Sequence, residues 1–287
     1  MALKLMYITN KPEVAQVAQD AGVDRIFIDM EYIGKADRQG GMDTVQSHHT
    51  IDDIRRIRPI ITSSELLVRV NPIHEEGSYR GLAHTSSREE VDAVIKAGAD
   101  IVMLPYFKTL EEARFFIKTV DGRAKTMLLV ETVEAAEKID DFMEIKGIDE
   151  IHIGLNDLSL EQHKAFMFQS LADGTVEKLC RKMADKGMTY GFGGIAAPGR
   201  GMLPAEYIIR DHYQYGSSCV ILSRSFCNSD IIKDMDEIKD IFRQGIKEIR
   251  QVEEECAHYK KEDFIANHKE LKRRVKLVTE MITAGEV

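Results

Sequence analysis

Cysteine is sparse in this sequence and follows no pattern. Cys180, Cys219, Cys227 and Cys256 form no CxxC pair and show no metal-ligand spacing. That argues against a zinc site and against a disulfide scaffold, and the expectation is four reduced thiols in a cytoplasmic protein. An excess of basic residues is also missing. Lys and Arg number 39 against 48 Asp and Glu, a formal net charge of −9, which excludes nucleic acid as the expected partner because that partner needs a positive surface. No apolar run approaches the roughly 18 residues of a membrane span. The opening MALKLMYITN turns polar too soon to read as a secretory leader. Low-complexity segments are absent too, so what is left is a soluble, globular composition.

Apolar runs that could form strands alternate with helical stretches along the chain. KLMYITN (4–10), RIFIDME (25–31), ELLVRVN (65–71), DIVMLPYF (100–107), TMLLVE (126–131), EIHIGLND (150–157), TYGFGGIA (189–196) and CVILSRSF (219–226) read as eight strands. Near-continuous apolar strands are those buried on both faces, as in parallel sheets. Eight strand–helix alternations predict a (β/α)8 TIM barrel, and 287 residues suit a fold of typically about 250 residues. A doubly wound open sheet is the alternative, but Asn10-Lys11-Pro12 after the first strand offers no GxGxxG turn. A single domain is expected, with the barrel over about residues 4–230 and a C-terminal helical extension over 231–287.

Several helix starts are legible. Thr50 precedes Asp52 and Asp53 as an N-cap. Ser87 with Glu90 three residues on has the spacing of a capping box. Two long polar stretches, 32–49 and 72–84, exceed ordinary strand-to-helix connections of about 2–6 residues and are candidates for function.

Polar residues collect at the strand ends: Asp29 and Glu31, Arg69 and Asn71, Glu131, Asn156 and Asp157, Ser223 and Arg224. In a barrel these converge on the carboxyl-terminal mouth, where active sites form. Glu131 and Asp157 lie about one strand–helix–strand unit apart, so adjacent strands would bring the two carboxylates together. Such a pair suits a hard divalent cation, Mg²⁺ or Mn²⁺ or another. Arg69 offers a planar, permanently charged partner for an oxyanion. A cation and an arginine at one mouth suit a small 2-oxo acid, whose enolate a Lewis acid stabilises in carbon–carbon cleavage.

The segments LLVRVN, GADIVMLPYFKTLEEA, LLVETVEAAEKIDD and GIDEIHIGLNDLS, in that order, resemble the HpcH/HpaI aldolase and citrate lyase β-subunit family. The resemblance covers residues 20–160 well and the last two strands weakly. It implies a phosphoenolpyruvate/pyruvate-type TIM barrel, with metal ligands matching Glu131 and Asp157 and the substrate arginine matching Arg69. It also implies a homo-oligomer, trimeric or hexameric. The aldolase branch carries a histidine base after the second strand, whereas this chain has Asp29-Met30-Glu31-Tyr32. His48 or His49 from the long loop is therefore the candidate general base. Lys35 and Arg38 could hold a distal carboxylate or phosphate, and Asn156 is a candidate substrate contact.

The expected function is a metal-dependent carbon–carbon lyase of the aldolase type. A CoA-thioester lyase is an alternative, although only scattered Lys and Arg are available for the CoA phosphates. The other is a non-catalytic barrel that binds a 2-oxo acid, because fold alone does not fix function.

Overall fold

A computed structural model describes residues 2–35, 38, 47–75 and 86–285. Gln39 and most of the first long loop, and residues 76–84 of the second, lie outside the described residues. The eight strands are β1 (Lys4–Ile8), β2 (Arg25–Asp29), β3 (Glu65–Arg69), β4 (Ile101–Leu104), β5 (Lys125–Val130), β6 (Glu150–Ile153), β7 (Thr189–Ile195) and β8 (Cys219–Leu222). They close in sequence order into one all-parallel ring, with β1 paired to both β2 and β8. The expected (β/α)8 barrel with extra C-terminal helices is the fold found.

Strand alternation divides the apolar residues into two layers. Met6, Phe27, Leu67, Met103, Met127, Leu129 and Cys219 fill the barrel interior. Their neighbours Leu5, Ile26, Ile28, Leu66, Val68, Leu128 and Val130 face outward into a larger core beneath the helices. Both faces of each strand are thus dry, which is why the strand sequences are almost unbroken apolar runs. Strand β7 is rich in glycine for a steric reason. A Cβ on Gly191 would lie 2.2 Å from the Cys219 carbonyl oxygen, so β7 approaches β8 more closely than a side chain allows.

The amino-terminal end of the barrel is closed by a buried charge cluster. Arg25 has no solvent exposure and donates to both oxygens of Glu150, at 2.7 and 2.5 Å, and to Glu65 at 2.9 Å. All four cysteines are buried, unbridged thiols.

Helices α1 (Pro12–Asp20), α2 (Ile51–Ile57), α3 (Ser87–Ala97), α4 (Leu110–Val120), α5 (Val133–Glu137) and α6 (Ile139–Phe142) connect the first six strands. Then follow α7 (Leu155–Glu161), α8 (Gln169–Ala172), α9 (Thr175–Asp185) and α10 (Ala205–Tyr215), and after β8 come α11 (Met235–Cys256) and α12 (Lys261–Ala284). Thr50 caps α2 in a capping box closed by Asp53. The cap of α3 is Ser86 rather than Ser87: its side chain accepts from the Glu89 N–H, which turns Glu90 inward. The last two helices dock on α10. There His268 lies between Asp211 and the Tyr215 hydroxyl, at 2.9 and 3.1 Å, and Asn267 donates to Asp211 at 3.1 Å. Among the described residues no helix is long and apolar enough to cross a membrane.

Candidate active site

The carboxyl ends of the strands surround a cavity of about 290 Å³. Asp29, Arg69, Glu131 and Asp157 line it, with Lys35, His49 and Asn156. Its far side is built by the segments after β1 and β8, including Lys11 and Arg224.

Asp29 ends β2 and organises the near side. Arg69, at the end of β3, donates to it through Nε and Nη2, both at 2.8 Å. Lys35 Nζ donates to it at 2.6 Å. Burial alone would raise the Asp29 carboxyl, but Arg69 and Lys35 hold it well below the usual carboxylate range. The two-pronged contact fixes the plane of the guanidinium, and its Nη1 stands 3.3 Å from Glu31. Glu31 is fully buried and also pairs with Arg38. Its other oxygen accepts no hydrogen bond, although Lys35 approaches to 3.5 Å.

Glu131 follows β5. Thr132, not Glu131, caps α5, accepting from the Ala135 N–H, so Glu131 turns into the mouth. It accepts from the Tyr106 N–H at 3.0 Å. Tyr106 adopts a left-handed backbone with φ of 47°, a conformation that costs a tyrosine about 1–3 kcal/mol and aims its N–H at the carboxylate. The Tyr106 hydroxyl donates to Glu161 at 2.6 Å, and Arg38 lies 3.8 Å over the ring. Gly154 is required beside Glu131, because a Cβ there would sit 2.7 Å from Oε2. Burial, with Glu31 and Asp157 nearby, pushes the Glu131 carboxyl well above its ordinary value.

Asp157 corrects the sequence reading in its placement. Strand β6 ends at Ile153, and Gly154 is the N-cap of α7, so Asn156 and Asp157 stand in the first turn of a helix rather than at a strand end. The chain enters the helix at Leu155, which still brings Asp157 to the mouth beside Glu131. Arg38 Nε is 3.8 Å from Asp157.

The two histidines of the long loop separate. His48 is exposed and rests against the Tyr32 ring, 5.5 Å between centroids; it does not line the cavity. His49 does. Its Nδ1 accepts the Asp29 backbone N–H at 3.0 Å, which assigns the ring proton to Nε2. Burial lowers the His49 pKa below its usual 6.5, so the ring is neutral at pH 7 and offers a donor rather than a free acceptor. Lys35 lies in the cavity wall, whereas Arg38 is engaged by Glu31 and Tyr106.

Asn71 stands back from the mouth. Its Oδ1 accepts the Tyr32 and Ile33 N–H groups at 2.8 and 3.0 Å, while its own backbone and side-chain N–H groups go to Glu90 at 3.1 and 2.7 Å. Sequence reasoning missed Tyr106 and His152. Tyr106 lies in the apolar LPYF run, and nothing in that run signals a positive φ. His152 alternates inward from β6 to the cavity wall, with Nε2 bonded to the Gly193 carbonyl at 3.1 Å, and burial pushes its pKa down to about 4. The strand period could have found it.

Among the described residues no three or more His, Cys, Asp or Glu side chains form a ready metal cage. Glu131 and Asp157 offer two carboxylates, and burial beside Glu31 and Asp157 pushes the Glu131 carboxyl well above its ordinary value, the direction that a cation held there would reverse. Hard oxygen donors of this kind fit a divalent cation that takes its remaining ligands from substrate and water.

A family model of HpcH/HpaI aldolase/citrate lyase matches residues 4–165, more than half of the chain. No curated protein sequence matches. Among solved structures, an HpcH/HpaI aldolase from Desulfitobacterium hafniense DCB-2 is similar with a TM-score of 0.58 at 17% identity, over 87% of this chain and 93% of that one. An HpcH/HpaI aldolase/citrate lyase family protein from Burkholderia cenocepacia J2315 is similar with a TM-score of 0.58 at 14% identity, over 83% and 95% of the two chains. The citrate synthase SbnG reaches a TM-score of 0.58 at 14% identity, over 80% and 90%. At such identities the structural likeness is one of fold, and the family rests on the sequence match: the chain belongs to the HpcH/HpaI aldolase/citrate lyase family.

Proposed function

We propose that this chain is a divalent-metal-dependent carbon–carbon lyase of the aldolase type, acting on a 2-oxo acid through a pyruvate-like enolate. One observation carries the reading: four acids, Asp29, Glu31, Glu131 and Asp157, meet three cations, Lys35, Arg38 and Arg69, at the barrel mouth. The Glu131 carboxyl is pushed well above its ordinary value by burial and by the acids Glu31 and Asp157 beside it, and a dication held between Glu131 and Asp157 would relieve that repulsion.

Glu131 and Asp157 would hold the cation, Mg²⁺ or Mn²⁺. When bound, it supplies the Lewis acidity that makes the carbon next to the keto group acidic. Arg69, locked in plane by Asp29, turns its remaining N–H groups to the substrate oxygens. His49 holds its proton at Nε2 and donates it as a hydrogen bond to the oxygen on which charge develops, as a neutral imidazole can. Asn156 and Lys35 orient the substrate from the cavity wall. The long C-terminal helices would serve contacts between copies of the chain.

The test is solvent exchange of the pyruvate methyl protons in D₂O, followed by NMR with and without Mg²⁺ or Mn²⁺. Wild-type protein should exchange only with metal, and Glu131→Gln and Asp157→Asn should lose exchange while keeping the wild-type circular dichroism. Full exchange in both variants, or equal exchange under chelator, refutes the proposal.

A further inference from the structure

Glu90 is buried, 2% exposed, on the first turn of α3. It belongs to no ion pair among the described residues. Its two oxygens accept the backbone and side-chain N–H groups of Asn71. Asn71 passes the contact on, because its Oδ1 accepts the N–H groups of Tyr32 and Ile33. Those two residues open the segment that carries Lys35 and Arg38 to Asp29 and Glu31. One buried carboxylate thus holds, through one amide, the start of the segment that delivers two of the three cations of the mouth.

We propose that Glu90 is a positioning residue: as a carboxylate it fixes the segment bearing Lys35 and Arg38 through Asn71, and it releases that segment when neutralised. The chemistry follows from counting acceptors. An ionised carboxylate accepts both Asn71 donors, whereas a protonated one carries a hydrogen on one oxygen and keeps there only a weaker acceptor of restricted direction for the second Asn71 N–H. Asn71 then loses the charged partner that holds its amide plane, and with it the anchor of Tyr32 and Ile33.

Among the described residues, the charged groups near Glu90 are committed elsewhere. On its own helix, Arg88 lies over Phe115 of α4 and Asp92 pairs with Arg123. Arg58, beyond α2, pairs with Asp100, and Arg69 of β3 turns to Asp29. His74 bonds Ser87. Burial is the largest influence on Glu90 and raises its pKa to about 7 against the two Asn71 bonds, which lower it. The two forms therefore exchange within the physiological range, and release occurs as the pH falls.

The effect on turnover rests on the function proposed above; the effect on the segment does not. The experiment therefore has two arms, both on the full-length chain. Hydrogen–deuterium exchange of the Tyr32 and Ile33 amides, corrected for intrinsic rate, is measured from about pH 6 to about pH 8.5 in wild type, Glu90→Gln and Asn71→Ala. In wild type their protection should fall about tenfold as the pH is lowered across the proton-binding range, with β5 and β6 amides unchanged. Both variants should show low protection that is flat with pH. In the second arm, Glu90→Gln should raise KM for pyruvate in metal-dependent proton exchange by about tenfold at the alkaline end, with kcat within about twofold.

Protection and pH dependence equal to wild type in both variants overturn the proposal. So does a loss spread evenly over the whole barrel, which marks a structural role. If wild type shows no metal-dependent exchange, the functional reading has failed, and the amide arm still decides on Glu90.

Discussion

The buried cluster at the amino-terminal end of the barrel makes a quantitative prediction about stability. Arg25→Met removes three N–H bonds, two to Glu150 and one to Glu65. Glu65 keeps Lys125 at 2.6 Å, but Glu150, 5% exposed, forms no other ion pair among the described residues. Removing one partner of a buried pair strands the other charge and costs about 3–5 kcal/mol. For a domain of this size, at roughly 2–4 °C per kcal/mol, the melting temperature should fall by about 6–20 °C. Arg25→Met combined with Glu150→Leu removes both charges from the interior beside Met6, Met127 and Cys219. It should recover most of that loss, because an apolar replacement of a buried pair is often neutral or stabilising. The assay is a double-mutant cycle by denaturant unfolding and thermal melting, with pyruvate exchange as a check on the mouth at the opposite end of the barrel. A single variant melting within about 2 °C of wild type, or a double variant worse than the single, refutes the reasoning.

Two further predictions concern the mouth. Gly154→Ala places a methyl 2.7 Å from Glu131 Oε2 and 2.8 Å from its Cβ; metal-dependent exchange should be lost at a stability cost of about 1–3 kcal/mol, read by NMR and by calorimetry. His49→Gln keeps a side-chain N–H donor and should retain activity within about tenfold, whereas His49→Phe should lose about 10²–10³-fold; equal, complete loss in both would mark a base instead. Because burial lowers the His49 pKa below 6.5, no acid limb due to this ring should appear in the wild-type pH profile until below about pH 6.5.

The barrel was legible because burial on both strand faces writes itself as eight apolar runs, a pattern that survives without any knowledge of partners. Arg69 and Glu131 were legible for a related reason: Arg69 interrupts such a run near its end, and Glu131 closes one. Asp157 was read at the right mouth on the wrong element. His152 and Asn156 within EIHIGLND do not mark where the strand stops, and only the turn at Gly154 shows that the helix starts at Leu155. A shift of one residue hid Glu90. Taking Ser87 as the cap makes Glu90 its capping-box partner, whereas Ser86 gives Glu89 that position and frees Glu90 to face Asn71. Which of His48 and His49 faces the mouth could not be read from a loop without periodicity; the Asp29 N–H holds His49 there. The left-handed Tyr106 left no trace in sequence, since nothing but tertiary context holds a tyrosine there.

The four buried cysteines give the molecule a set of internal clocks. The thiolate is the form that alkylating reagents attack, and burial pushes the Cys219 thiol up to about 12 and that of Cys256 up to about 11, with Cys180 and Cys227 also raised. None reacts readily while its layer stays closed. Cys256 ends α11 and becomes accessible once the C-terminal helices lift away, whereas Cys219 sits inside the ring against Gly191 and needs strands to part. Rates of labelling at the two would therefore time two different openings, one local and one approaching the global limit, without any engineered probe. The same arrangement shields the thiols of the folded chain from mild oxidants, so thiol modification would report unfolding and not regulation.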